Sequence, residues 1–99
     1  MSEQITIIAV WRTRAGEEEK LAALLAEYLP IVRQEPGCLE FTAQRGADDP
    51  RLFAHYERYR DHAAFLAHRD NPQYKDYVLG RCVPLLEERK VYVLHELAV

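Results

Sequence analysis

Four stretches of the chain carry the apolar runs or the alternation that are typical of β-strands. Ile5 to Arg12 is rich in β-branched residues, whereas Cys38 to Arg45 alternates apolar and polar positions. Leu52 to Tyr59 follows after a short turn, so these two segments are predicted to pair as an antiparallel hairpin. Val91 to Leu97 is predicted to be the last strand.

The segment between the first two strands has the spacing of an amphipathic helix. The helix is predicted to start at Gly16, because the three glutamates that follow favour the positive end of a helix dipole. One apolar stripe runs through it at spacings of three and four and consists of Leu21, Leu24, Leu25, Tyr28 and Val32. Pro30 lies within this pattern and is predicted to bend the helix or to loosen one turn.

A second helical region is predicted between the third and fourth strands. Asp61 is a good N-cap for a helix that carries Phe65 and His68. In Asn71-Pro72 a second cap precedes a proline at the first helical position, so a further helical piece is predicted there. The order β-α-β-β-α-β is that of a ferredoxin-like α+β fold, an antiparallel four-stranded sheet with helices on one face.

The first strand indicates that the second face of this sheet must also be covered. Its apolar side chains occupy both faces, with Ile5, Ile7, Ala9 and Trp11 on one and Ile8 and Val10 on the other. Helices cover only one face, and an uncovered apolar face marks an interaction surface. We expect one domain over residues 1–99, and a chain this short gains buried surface by pairing. We therefore expect a homodimer in which sheet packs on sheet.

Composition and charge narrow the function classes. The net charge of -3 gives no reason to expect binding to nucleic acid or to an anionic membrane. The two cysteines, Cys38 and Cys82, lack the spacing of a metal knuckle or a redox pair and are too few for a disulfide scaffold. Neither a membrane-spanning apolar run nor a signal-peptide pattern occurs, so a cytoplasmic protein is expected.

Motifs for bound cofactors and metals are also absent from the sequence. It contains no glycine-rich phosphate loop and no HExxH, and its four histidines are scattered. We therefore predict neither a metal site nor a cofactor. Aromatic and titratable residues instead concentrate around the third strand and second helix, where tyrosines would give a ligand pocket apolar walls with polar tips. This group comprises Phe53, His55, Tyr56, Glu57, Tyr59, Phe65, His68, Tyr74 and Tyr77.

Five short motifs in this order resemble the antibiotic biosynthesis monooxygenase (ABM) domain. They are Val10-Trp11-x-x-x-x-Gly16, Glu35-Pro36-Gly37-Cys38-Leu39-x-Phe41, Tyr56-Glu57-x-Tyr59-x-Asp61, Ala64-Phe65-x-x-His68 and Pro72-x-Tyr74. The resemblance covers nearly the whole chain. It implies a ferredoxin-like homodimer whose sheets pack into a shared barrel, a dimeric α/β barrel, in agreement with the uncovered face.

The resemblance implies two reactions between which the sequence does not choose. Some family members are cofactor-free oxygenases of quinols and anthrones. Others are similar to the isomerase of a phosphorylated linear dione in autoinducer-2 breakdown, which the runs from Tyr56 to Asp61 and Pro72 to Lys75 resemble closely. A third branch of the family degrades haem and needs an Asn, a Trp and a His. In this chain the first strand has no Asn and the second helix has no Trp, so haem degradation is not expected. Both remaining reactions need a base, donors that stabilise an anion, and a dry wall.

His68 is the predicted base, because histidine titrates near neutral pH. Tyr74 and Glu57 are predicted to orient the substrate, while Phe65, Tyr56 and Trp11 are predicted to contact it. We expect a cofactor-independent quinol-type monooxygenase. Two alternatives stay open, a carbonyl isomerase on the same fold and a dimeric module that binds a ligand without turnover.

Each of these residues also has a purely structural interpretation. His68 could stabilise a helix C-terminus, and Tyr74 could pack helix against sheet. Glu57 could pair with an arginine, for which the candidates are Arg12, Arg45 and Arg58. Tyr56 is expected to cover the core, and Trp11 to form a wall of the dimer barrel rather than of the pocket. Glu35 is assigned to the turn at Pro36-Gly37, and Lys75 to the surface unless the substrate carries a phosphate.

Overall fold

A four-stranded antiparallel sheet, in the order β2-β3-β1-β4, organises the chain. The computed structural model describes residues 3–97. The strands are β1 (Ile5–Thr13), β2 (Cys38–Arg45), β3 (Leu52–Tyr59) and β4 (Leu86–Leu94). The predicted ferredoxin-like α+β fold and the β2-β3 hairpin are confirmed.

Helices cover one face of the sheet. They are α1 (Glu18–Val32), α2 (His62–Asp70) and α3 (Pro72–Tyr74), the last continuing as a π-helical segment (Lys75–Cys82) and a 3-10 turn (Val83–Leu85). Both predicted caps are present, because Asp61 accepts from the Ala64 N–H at 2.8 Å and Asn71 accepts from the Gln73 N–H at 2.8 Å. Gly16 precedes α1 by two residues rather than opening it, and its φ of 91° is one that glycine readily adopts.

The last strand is where the sequence prediction was wrong. β4 begins at Leu86 and ends at Leu94, whereas the pattern predicted Val91 to Leu97. Its first half is highly charged, which hides the strand from a hydrophobic pattern. These charged residues nevertheless pair with β1, since Glu88, Arg89 and Lys90 lie opposite Arg12, Trp11 and Val10. Charged side chains of this kind are a common protection for an edge strand.

Parity along β1 separates the two faces of the sheet as predicted. Its helix-facing residues are buried. Trp11 packs in one core cluster with the α1 stripe of Leu21, Leu25, Tyr28 and Val32, whereas Ile5 and Ile7 pack in a second cluster with Phe65 of α2. The opposite face, which we call the open face, carries Ile8, Val10, Tyr56, Tyr92 and Leu94. Tyr56 lies directly opposite Ile8 in the β1-β3 ladder and is 36% exposed, so the expectation that it covers the core was wrong.

Gly37, in the turn between α1 and β2, sets how closely α2 approaches. A Cβ added there would lie 2.2 Å from the Cβ of Ala64, and the Gly37 carbonyl accepts from the Arg60 N–H at 2.9 Å. The turn and the start of α2 are therefore held against each other.

Replacing Gly37 with Ala is expected to destabilise the fold by about 2 kcal/mol, because overpacking a tight contact costs roughly that much. Chemical denaturation of the purified variant measures this. Gly80→Ala is the matched control, because a Cβ at Gly80 meets its nearest atom at an ordinary 3.4 Å. Equal stability of the two variants would contradict the close approach.

Candidate active site

A cavity of about 110 Å³ lies between the sheet and its helices. Every strand except β2 contributes at least two residues to its wall, and β2 contributes Phe41. Most of the wall is apolar, and it includes Ile7, Ala9, Leu25, Phe41, Phe65 and Val78. Polar groups that face such a wall are poorly solvated, so their hydrogen bonds and charges matter more than in water.

His68 is held in this wall by Glu35. The imidazole is 4% exposed, and its Nδ1 lies 3.0 and 3.2 Å from the two carboxylate oxygens of Glu35. A carboxylate only accepts, so it fixes the tautomer in which Nδ1 carries the proton. The other nitrogen, Nε2, then has a free lone pair, as in a base that a carboxylate orients.

Glu57 faces the free side of the same imidazole. Its Oε1 lies 4.0 Å from His68 Nε2, too far for a hydrogen bond. The carboxylate instead accepts a 2.7 Å hydrogen bond from the Tyr59 hydroxyl. Burial raises the pKa of Glu57, although the Tyr59 hydrogen bond and His68 both oppose that shift.

Tyr74 and Arg89 form a second polar pair at this site. The ring of Tyr74 packs edge-on against His68 at 4.9 Å, and its hydroxyl accepts from the Arg89 guanidinium at 2.9 Å. A hydroxyl that accepts from a cation still has its own proton to donate, and the cation makes it a better donor. The geometry therefore offers a base and a polarised donor in the same cavity.

Three further polar side chains in the wall have no hydrogen-bond partner within residues 3–97. The unpartnered buried atoms are both ring nitrogens of His55, the indole nitrogen of Trp11 and the hydroxyl of Tyr28. Burial lowers the pKa of His55 to about 4, so its ring is neutral at pH 7. Trp11 packs against the His55 ring, with centroids 4.3 Å apart.

Most of the residues that the sequence singled out meet in this cavity. His68, Glu57, Tyr74, Phe65 and Trp11 all line it. Tyr56 does not, because it lies on the open face. Trp11 is 4% exposed on the helix side of the sheet, so its interpretation as a wall of the dimer barrel was wrong.

The arginine partners suggested for Glu57 are engaged elsewhere. Each of them forms an ion pair with another carboxylate at 2.7 to 3.1 Å. These pairs are Arg12 with Asp49, Arg45 with Glu19 and Arg58 with Glu40. Arg12 and Arg58 themselves lie on the open face of the sheet, so their side chains point away from the helix side, where Glu57 lies.

Sequence reasoning missed three members of the site, namely Glu35, His55 and Arg89. Glu35 was assigned to a turn, yet its carboxylate contacts His68 across 33 residues of chain. His55 was noted among the aromatics, and alternation from Glu57 would have placed both on one face. Arg89 lies in the charged half of β4 that was not predicted as strand.

Most of the chain matches a known protein family. The model of the antibiotic biosynthesis monooxygenase family matches residues 4–79. The chain belongs to this family. A comparison with curated proteins finds no match.

Several solved structures superpose closely on this chain. PA3566 from Pseudomonas aeruginosa does so with a TM-score of 0.88 at 31% identity, covering 99% of this chain and 98% of that one. Rv0793 from Mycobacterium tuberculosis gives 0.88 at 30% identity over 97% of both chains. SnoaB, a cofactor-independent oxygenase from Streptomyces nogalater, gives 0.84 at 14% identity over 99% and 97%, a likeness of fold alone.

The described part of this ABM-family chain shows neither a metal-ligand cluster nor a membrane-spanning helix. Within residues 3–97 no three His, Cys, Asp or Glu side chains cluster as metal ligands would. Over the same residues, no helix has the length and apolar character needed to cross a bilayer.

Proposed function

We propose that this ABM-family protein is a cofactor-independent monooxygenase of a quinol or related electron-rich aromatic. The observation that carries the proposal is the Glu35-His68 pair, which leaves His68 Nε2 directed into a buried, largely apolar cavity. A quinol is a weak acid that becomes a strong reductant once it is deprotonated. A base in a dry cavity is therefore what such a substrate needs.

In the first step His68 Nε2 takes the proton of a substrate hydroxyl. The imidazolium that forms lies between Glu35 at Nδ1 and Glu57 at Nε2, and both carboxylates stabilise its charge. The Tyr74 hydroxyl, polarised by Arg89, donates to the new substrate anion. Fixed charges and donors of this kind act strongly where water is excluded.

The substrate itself then reduces dioxygen. One electron passes from the quinol anion to O₂, and the semiquinone and superoxide combine at a ring carbon that carries hydrogen. The resulting peroxide anion takes up the proton of the same ring carbon, its O–O bond breaks as that carbon becomes a carbonyl, and the His68 imidazolium returns its proton to the departing hydroxide, which leaves as water. Quinol and O₂ thus give hydroxyquinone and water, with four electrons leaving the ring and four entering O₂.

Glu35 also connects His68 with the outside of the molecule. Its side chain is 12% exposed, and together with His68 it lines a second, more open depression that includes Arg60 and Asn71. Protons can therefore exchange between His68 Nδ1 and solvent through the Glu35 carboxylate.

The test uses a panel of benzoquinols and naphthoquinols with the metal-free protein under ¹⁸O₂. We expect quinone products to form faster than by autoxidation and to carry one ¹⁸O atom per molecule. The same mixtures without protein give the background rate. No acceleration with any member of the panel would contradict the proposal.

The isomerase remains the second candidate, because two cationic side chains line the cavity. Arg69 and Arg89 would suit a phosphorylated carbonyl substrate, whose phosphate needs such partners. An isomerisation moves a proton within one molecule and needs no O₂. Turnover of a phosphorylated linear dione under argon, followed by NMR, would favour this reaction over the oxygenase.

Binding without turnover is the third interpretation, and the structure supports it least. It would be favoured by a His68 in bulk solvent, whereas His68 is 4% exposed. A buried imidazole oriented by a carboxylate has no obvious use in a passive binding site.

We also propose that the open face forms a homodimer. Tyr56, Tyr92 and Leu94 are 36%, 48% and 39% exposed there, and a monomer rarely leaves such a contiguous apolar face uncovered. Light scattering is expected to give twice the 11.5 kDa of one chain. Tyr92→Lys should halve that mass, while the matched control Leu66→Lys, on the outer side of α2, should not change it. A monomeric wild-type protein would contradict the proposal.

A further inference from the structure

The cavity has two polar ends that differ in chemistry. Phe41 packs beside both, since its ring centroid is 6.2 Å from that of His68 and 6.1 Å from that of His55. At one end the side chains of His68, Glu57 and Tyr74 each make a hydrogen bond, with Glu35, Tyr59 and Arg89 respectively. At the other end the side chains of His55 and Trp11 make none, because their three nitrogen atoms are buried without a partner within residues 3–97.

Such a cluster needs an explanation, because buried polar groups in proteins are nearly always hydrogen-bonded. His55 is 2% exposed and Trp11 is 4% exposed, and both lie on the cavity wall. Apolar side chains of similar size at these two positions would avoid the cost of burying unpaired nitrogen. The nitrogens therefore point to a group that enters the cavity.

We propose that His55 and Trp11 form a second subsite, which holds a hydroxyl or carbonyl oxygen at the end of the substrate opposite the group that reacts at His68. This inference rests on the proposed function and specifies its substrate class further. The substrate would be a ring with two oxygen functions on opposite sides, as in a 1,4-quinol.

The donor and acceptor inventory of the two side chains supports this choice of ligand group. The Trp11 indole can only donate, so the ligand atom beside it must accept. A neutral imidazole donates from one nitrogen and accepts at the other, so His55 can bind either a carbonyl or a hydroxyl. Because the pKa of His55 is lowered to about 4, the ring offers no positive charge to an anion at pH 7.

The position of the one cationic group near Trp11 is consistent with this subsite. Arg89 lies opposite Trp11 in the β1-β4 ladder, but its guanidinium donates to the Tyr74 hydroxyl, which lies beside His68. Its charge therefore serves the reacting end. The two hydrogen-bonding side chains of the His55 end, the imidazole and the indole, are both neutral at pH 7.

The test compares hydroquinone with phenol, which lacks only the second hydroxyl, under argon. Calorimetry measures the two affinities, and the indole N–H signal of Trp11, the single tryptophan, reports by NMR whether the subsite is filled. We expect hydroquinone to bind about fivefold more tightly than phenol, as one added hydrogen bond predicts. Only hydroquinone should shift the indole signal strongly.

Two variants separate recognition from structure. His55→Leu should abolish the preference for hydroquinone over phenol and raise the melting temperature, because an unpaired polar group is removed. Trp11→Phe should also reduce the preference. If both ligands bind equally, or if neither binds, or if His55→Leu keeps the preference, the subsite is wrong.

The outcome is distinguishable from failure of the proposed function. Selective binding of hydroquinone that depends on His55, without any O₂-dependent product, would keep the subsite and overturn the oxygenase. Incorporation of ¹⁸O without a role for His55 in ligand preference would do the reverse.

Discussion

Replacing His68 with Asn is expected to slow quinol turnover roughly 100- to 10,000-fold, the usual contribution of a general base. Asparagine keeps a polar group in the cavity wall but cannot take up a proton near neutral pH. The affinity for hydroquinone should change much less than the rate, because the walls and the His55 end are intact. Steady-state oxygen uptake together with calorimetric binding separates these two effects.

His62→Asn is the matched control for this experiment. It makes the same substitution on the same helix, but His62 is exposed and lies outside the cavity wall. Its turnover and stability should match those of the wild type. If His68→Asn retained full turnover, His68 would not be the base, whereas loss of the fold in circular dichroism would call for comparison with His68→Gln.

Replacing Glu57 with Gln is expected to lower turnover roughly 100-fold, because the imidazolium loses one of its two flanking carboxylates. The same change should make the protein more stable at neutral pH. Burial raises the pKa of Glu57 above its usual value of 4.5, so its ionised form is disfavoured in the folded chain. Glutamine can still accept the hydrogen bond of Tyr59 without carrying that charge.

The stability gain should depend on pH in one direction. Below 4.5 the carboxyl group is protonated in both the folded and the unfolded chain, so Glu57 contributes no ionisation cost there. As the pH rises past 4.5, the unfolded chain loses the proton first and the wild type loses stability relative to Glu57→Gln. Urea denaturation of both proteins between pH 4 and 8 measures the difference.

Glu88→Gln provides the comparison for Glu57→Gln. Glu88 is an exposed carboxylate on β4 that pairs with Lys90 at 3.2 Å. The free energy gained from an exposed pair is small, so its removal should alter neither turnover nor the pH dependence of stability appreciably. A Glu57→Gln variant that is less stable than the wild type at every pH would show that the carboxylate is not buried at a cost.

Several parts of the site can be predicted from local sequence patterns, namely helix caps, short motifs and strand alternation. Asp61 and Asn71 are caps, and their side chains predict where the helices that carry His68 and Tyr74 begin. The ABM motifs in their order indicated the family, and strand alternation indicated that Trp11 shares one face of β1 with Ile7 and Ala9, although not that the helices cover this face. These features depend on neighbours within a few residues, so one sequence is enough to reveal them.

Other parts depend on distances that no local rule fixes. Which face Tyr56 occupies follows from its register against Ile8, and shifting a strand by one residue reverses that face. Arg89 reaches the cavity because the charged half of β4 pairs with β1 rather than forming a loop. Pairing energy and burial of the neighbouring strand decide this, not the hydrophobicity of β4 itself.

The sequence by itself determined the fold class and the family, and it predicted His68 as the base. Only the tertiary structure showed that Glu35 orients His68, because their contact depends on the close approach of the Gly37 turn to α2. It also showed that the nitrogens of His55 and Trp11 are unpaired within the described chain, a property that requires knowing every neighbour. Residue types indicate which chemistry a chain can perform, but tertiary packing decides which groups contact each other and which stay without a hydrogen-bond partner.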